Sequence, residues 1–126
     1  MKLRIQGNSL RLRVSRSEVA RFSETGRIAE TIRFAQEPEA TLTYALESSV
    51  DTAAIAARWQ PGEVAVVIPA DVARKWAEGD GVGLSGDCSI GERTLSVLVE
   101  KDFACLDRSD ADNADTFPHP LHGATC

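Results

Sequence analysis

The sequence predicts an α+β fold, mostly antiparallel β, in which two ββαββ units form a barrel or two packed sheets with two short helices. The first observation is an internal repeat. Residues 14–26, VSRSEVARFSETG, resemble residues 67–79, VIPADVARKWAEG, and the same 53-residue offset places Glu47 on Glu100. A constant offset across separate segments indicates duplication. We therefore predict one domain over 1–126, with pseudo-repeats 2–47 and 53–100 and a C-terminal tail over 102–126. A barrel is slightly preferred because closure hides edge strands.

The second observation is the strict alternation of apolar and charged residues on both sides of Gly7-Asn8. This dipeptide suits the turn of a two-residue β-hairpin, so residues 2–14 are predicted to pair with Arg4 opposite Arg11. One face of this hairpin is then apolar: Leu3, Ile5, Leu10 and Leu12. The other face carries four cations: Lys2, Arg4, Arg11 and Arg13.

The third observation is a set of helix boundaries. Ser15 and Glu18 have the spacing of a capping box, and Gly26 suits a left-handed C-cap. Strands are predicted over 27–34 and 41–47, which complete the first unit.

The second unit follows the same plan. A hairpin is predicted over 53–59 and 63–68, then a helix from Pro69 to Gly79, then strands over 82–84 and 93–100. Val64 and Val66 stand where the first unit has Arg11 and Arg13. The aromatic residues Phe22, Trp59 and Trp76 are predicted to be core.

Composition restricts the functional classes. Net charge is −5, yet residues 1–35 hold eight Lys/Arg against three Glu, so we expect charge neutralisation within the fold. The acidic total argues against nucleic-acid and anionic-membrane partners. An apolar run of about 20 residues and a signal peptide are both missing, and the three cysteines are too few for a disulfide framework. These features predict a cytoplasmic protein with reduced thiols.

Three segments, KLRIQGNSLRLRVSRSEVARF, LTYALE and VEKDFACL, resemble a family of small uncharacterised bacterial proteins known only as a domain of unknown function. The likeness covers nearly the whole chain. It implies a bacterial, stand-alone, single-domain protein and brings no activity with it. The family tail reads Phe-Pro-Asn-Pro, from which His119 departs.

The cationic hairpin face is the first candidate site. Like charges opposite each other cost free energy unless anions intervene, and arginine binds phosphate and carboxylate bidentately. Arg4, Arg11 and Arg13 are therefore predicted to bind a small anion. The alternative is that Glu47, Glu92 or Glu100 neutralises these cations on an ordinary solvated face.

The second candidate is a metal site made of four tail residues: Cys105, His119, His122 and Cys126. Tetrahedral zinc accepts such a Cys2His2 set, although the spacing contains no C-x2-C pair. Zinc is the one cofactor that the sequence suggests.

The sequence contains no P-loop, nucleophile elbow or dinucleotide fingerprint. The leading hypothesis is a non-enzymatic binding or adaptor domain for a small anion or a protein partner. The alternatives are an enzyme in which the arginines hold the substrate and Glu30 or Glu47 is the base, and a metal-stapled structural protein.

Overall fold

A computed structural model describes residues 1–103 and 114–118 of the 126-residue chain. In these residues the chain forms eight strands and two helices. In chain order they are β1 Lys2–Gln6, β2 Ser9–Val14, α1 Arg16–Thr25, β3 Arg27–Arg33, β4 Thr41–Ser49, β5 Ala56–Gln60, β6 Glu63–Pro69, α2 Ala70–Glu78, β7 Gly83–Ile90 and β8 Arg93–Lys101.

The strands form two mixed four-stranded sheets. The first sheet has the order β1-β2-β8-β7 and the second the order β3-β4-β6-β5. Neighbours in sequence pair antiparallel, whereas the central pairs β2–β8 and β4–β6 are parallel. Each sheet therefore takes one hairpin from each half of the chain, and the halves interleave. The element order ββαββ occurs twice, while duplication of the sequence stays a prediction.

Local signals position the first hairpin and helix as predicted. The register of β1 and β2 pairs Arg4 with Arg11 around the Gly7-Asn8 turn, where Gly7 has a φ of 55° that favours glycine. Ser15 caps α1 in a capping box with Glu18, and Gly26 ends the helix at φ 76°. These features depend on neighbours in sequence, which is why the sequence alone predicts them.

The core lies between the inner faces of the two sheets and under the two helices. Leu12, Val14, Leu46, Ile68 and Val99 are among its least exposed side chains. Phe22 of α1 and Trp76 of α2 pack edge to face with ring centroids 6.3 Å apart. The two helices thus share one aromatic contact above the core.

The preference for a closed barrel is wrong. Strands of different sheets do not pair in the described residues, so the sheets pack face to face. At one place between the two sheets, side chains fill the space. A Cβ on Gly86 of β7 would lie 2.0 Å from Cγ2 of Ile55, which precedes β5. Ile55 therefore packs directly against the glycine backbone, where a closed barrel would have a strand-to-strand hydrogen-bond ladder.

Several apolar residues are more exposed than predicted. Trp59 was expected in the core but is 72% exposed, and Ile5 is 64% exposed. Both lie on edge strands close to a hairpin turn, where the sheet extends beyond the packed part of the core. Trp76 and Phe22 are buried, as predicted.

Residues 114–118 pack back onto the body of the protein. Phe117 N donates to the carbonyl of Asp102 at 2.8 Å, and its ring lies 5.2 Å from Nζ of Lys101. That Nζ donates to the carbonyl of Gly79 at 2.7 Å, and burial lowers the pKa of Lys101. Lys101 thereby links this segment to the end of α2.

Candidate functional site

The outer face of the first sheet, called here the arginine face, carries three rows of aligned side chains. The strand registers define these rows because directly paired residues point to the same side. From β1 to β7, the rows are Lys2–Arg13–Glu100–Gly83, Arg4–Arg11–Leu98–Ser85 and Gln6–Ser9–Ser96–Asp87. Cations therefore occupy the β1–β2 half, and neutral or acidic residues occupy the other half.

The first row is largely neutralised. Arg13 Nε donates to Glu100 Oε1 at 2.8 Å, and Lys2 Nζ lies 3.0 Å from Asp102 Oδ2. The solvated-face alternative is thus correct for Arg13, with Glu100 as the carboxylate.

The second row is only partly neutralised, because Arg11 shares the carboxylate of Glu100 with Arg13. Arg11 Nε lies 3.5 Å from Glu100 Oε1 but is buried and makes no hydrogen bond within the described residues. Arg4 donates to the amide oxygen of Gln6 at 3.1 Å and contacts no carboxylate of the described chain. Burial and the adjacent charge of Arg13 lower the pKa of Arg11, with a smaller effect from Arg4, against an opposing effect of Glu100. The Arg11 cation is therefore less well stabilised here than in water, and a bound anion would compensate for that.

A groove of about 320 Å³ lies over the second and third rows. We call it the arginine groove; Arg4 and Arg11 line it together with Ser9, Ser85 and Asp87. The predicted trio is divided, because Arg13 lines a different groove of about 510 Å³. That second groove also contains Lys2, Arg21 and several carboxylates, so its charges are mixed.

The sequence did not point to the β7 and β8 side of the arginine groove. Only residues 82–84 were predicted as the strand before β8, whereas β7 extends to Ile90 and brings Ser85 and Asp87 to the groove. Gly86 and the polar residues next to it have the composition of a loop, so no strand was predicted there. The useful signal was Gly91, which has a φ of 58° and forms the same kind of two-residue turn as Gly7.

The two carboxylates considered as bases lie apart from Arg4 and Arg11. Glu30 accepts from the hydroxyl of Tyr44 at 2.8 Å and lines the larger groove with Arg13. Glu47 lies on the second sheet, where hydrogen bonds from Arg58, aided by Arg27, hold the pKa of its carboxyl below its usual value. The structure therefore does not bring Glu47 together with the predicted anion-binding arginines.

The tail residues of the predicted metal site, Cys105, His119, His122 and Cys126, lie outside the described residues. Within residues 1–103 and 114–118, no group of three or more His, Cys, Asp or Glu side chains is arranged to hold a metal ion. The zinc site stays a prediction.

Neither helix of the described chain is long and apolar enough to cross a membrane. No curated protein and no solved structure shows a significant similarity to the sequence. Residues 1–121 match the family of unknown function DUF7009, which agrees with the resemblance noted from the opening and closing segments. Because the match spans nearly the whole sequence, the chain belongs to the DUF7009 family, whose function is unknown.

Proposed function

We propose that this protein is a non-enzymatic binding module of the bacterial cytoplasm that holds a small phosphate- or carboxylate-bearing ligand in the arginine groove. The observation that carries the proposal is Arg11, whose buried Nε lies 3.5 Å from Glu100 Oε1 and makes no hydrogen bond within the described chain. Buried polar groups in proteins almost always make a hydrogen bond, so an arginine that lines a groove and lacks one favours a ligand for its guanidinium. An odd number of cysteines supports a reducing compartment.

The charge around Arg11 supports an anion in particular. Arg4 lies directly opposite in the hairpin register, and Arg13 lies two residues further along the same strand. Like charges at such positions destabilise a sheet. An anion between Arg4 and Arg11 would remove that repulsion and supply charge-assisted hydrogen bonds, which are about twice as strong as neutral ones.

The groove lining supports binding rather than chemistry. Its polar groups are guanidinium, hydroxyl and amide groups with a single carboxylate, Asp87. These groups hold and orient an anion, and the carboxylates considered as general bases lie elsewhere.

The test is isothermal titration of the protein with inorganic phosphate and with acetate in low-salt buffer. We expect Arg11→Gln to weaken the binding of whichever anion binds by at least about tenfold, because a hydrogen bond to a charged group is worth about 1.5–3 kcal/mol. Arg93→Gln is the matched control. Arg93 belongs to the same sheet but does not line the groove, so its variant should bind like the wild type. Failure of both anions to bind, or equal weakening by the two variants, would overturn the proposal.

A further inference from the structure

We propose that the ligand of the arginine groove is a hydroxylated small molecule, a sugar or polyol that carries a phosphate or carboxylate group. This inference rests on the proposed function and adds the body of the ligand to its anionic end. The inference comes from the third row of the arginine face, because a simple anion bound over Arg4 and Arg11 would not contact that row.

The third row lies at a distance that suits the body of such a ligand. Ser9 is two residues from Arg11 along β2, and Ser96 and Asp87 continue the row onto β8 and β7. Two residues along a strand span about 7 Å, and adjacent strands are about 4.8 Å apart. An anion held by Arg11 therefore places the far carbons of a five- or six-carbon chain over this row.

The hydrogen-bonding capacity of the row fits hydroxyl groups. The hydroxyl of Ser9 donates to the carbonyl of Gln6 at 2.6 Å, so its oxygen remains an acceptor. The amide oxygen of Gln6 accepts from Arg4, so its NH2 group remains a donor. Ser96 and Asp87 make no side-chain hydrogen bond within the described residues and add a hydroxyl and a carboxylate. A row of donors and acceptors suits hydroxyls because each of them is both.

An apolar side chain completes the arrangement. Leu98 lies between Arg11 and Ser85 in the second row and lines the groove. Sugars present C–H groups as well as hydroxyls, and Leu98 offers these C–H groups an apolar surface to pack against.

The experiment compares each hydroxylated anion with its simple counterpart by isothermal titration: glucose 6-phosphate with inorganic phosphate, and gluconate with acetate. We expect the hydroxylated member of at least one pair to bind about tenfold tighter, as two or three added hydrogen bonds allow. The double variant Asp87→Ala with Ser96→Ala should abolish this preference while the simple anion binds at least as tightly, because the variant also removes the negative charge of Asp87. Ser89→Ala is the matched control, since Ser89 lies on the same face of β7 beyond the groove and should leave the preference intact.

The outcomes separate the two proposals. Equal affinities within both pairs, with the simple anion still bound and weakened by Arg11→Gln, would overturn the ligand class and leave the anion site standing. A preference that survives the double variant would also overturn it, because the third row would then not contact the ligand. Failure of phosphate and acetate to bind would overturn the proposed function itself.

Discussion

The outer face of each sheet has a glutamate on a central strand, Glu47 on β4 and Glu100 on β8, but the two glutamates differ in the charge of their neighbours. On the second sheet, Glu47 bonds both Arg27 and Arg58, and Arg27 also bonds Glu63. Two carboxylates there balance two arginines. On the first sheet, Glu100 alone lies between Arg11 and Arg13, and Arg4 adds a further cation.

The strand that supplies the arginines explains this difference. Arg27 and Arg58 come from the two edge strands and reach Glu47 from opposite sides. Arg11 and Arg13 are on the same strand, β2, and approach Glu100 from one side, so only Arg13 completes a hydrogen bond within the described chain. One scaffold thus supports a closed ion-pair network on one sheet and, on the other, a groove in which two arginines share one carboxylate and Arg4 has none within the described chain. This difference is why we propose the first sheet for the anion site.

The largest expected change in phosphate affinity comes from giving the outer face of the first sheet a second carboxylate, as the second sheet has. Leu98→Glu would place a carboxylate beside Arg11, its direct neighbour across the parallel β2–β8 pair. This internal carboxylate would occupy the arginine and repel incoming anions, so we expect phosphate affinity to fall by at least about tenfold. Isothermal titration in low salt measures this change.

Leu98→Gln is the control because it has the same shape without the charge. We expect it to change phosphate affinity by less than about threefold. Equal losses in the Glu and Gln variants would mean that shape, rather than uncompensated charge, governs the groove, and the comparison of the two faces would lose its electrostatic basis.

A smaller change in phosphate affinity is expected from removing either of the two central glutamates. Glu100→Gln frees both Arg11 and Arg13, so phosphate should bind about three to ten times more tightly. Glu47→Gln should leave phosphate binding at the arginine groove unchanged and should lower the melting temperature by about 2 °C in low salt. Titration and thermal unfolding of the two variants measure these effects. Weaker phosphate binding in Glu100→Gln would show that Glu100 positions the arginines instead of competing for them.

The smallest expected effect is on the stability of the folded protein at acid pH. The pKa of Glu47 in the folded protein lies below its ordinary value, chiefly because of the hydrogen bond from Arg58. Its stabilisation is therefore complete above the unfolded pKa of about 4.3 and is lost as the pH falls through the folded value. Urea unfolding midpoints at pH 6 and pH 3 should differ more for the wild type than for Glu47→Gln. Glu92→Gln, which removes a carboxylate with no described ion pair, should keep the wild-type difference; a Glu47→Gln protein that keeps it too would contradict the prediction.

The sequence predicted those parts of the structure that depend on close neighbours in the chain. The register that places Arg4 opposite Arg11 follows from a two-residue turn, and the capping box of α1 follows from Ser15 and Glu18. The common side of Arg4, Arg11 and Arg13 was also predictable because side chains alternate along a strand. Even the competing explanation, neutralisation by Glu100, was available from the sequence and is correct for Arg13.

Predictions that depended on the packing of distant segments were less successful. Trp59 has the spacing of a core residue, but β5 is an edge strand and its end extends beyond the core. The extent of β7 was missed because Gly86 resembles a loop residue locally, whereas in the fold it allows close packing of Ile55. These outcomes depend on contacts that only the folded chain brings together.

By itself, the sequence determined the first hairpin with its charged face and the boundaries of α1, because turns, caps and alternation are set by residues that are adjacent or nearly so. Only the tertiary structure decided that β2 pairs with β8 in parallel. That pairing joins segments from opposite ends of the chain and has no local signature. It places Glu100 beside Arg13 and brings Ser96 and Asp87 to the groove of Arg4 and Arg11. The sequence supplied the cations, and the long-range pairing determined which of them form a hydrogen bond to Glu100 within the described chain.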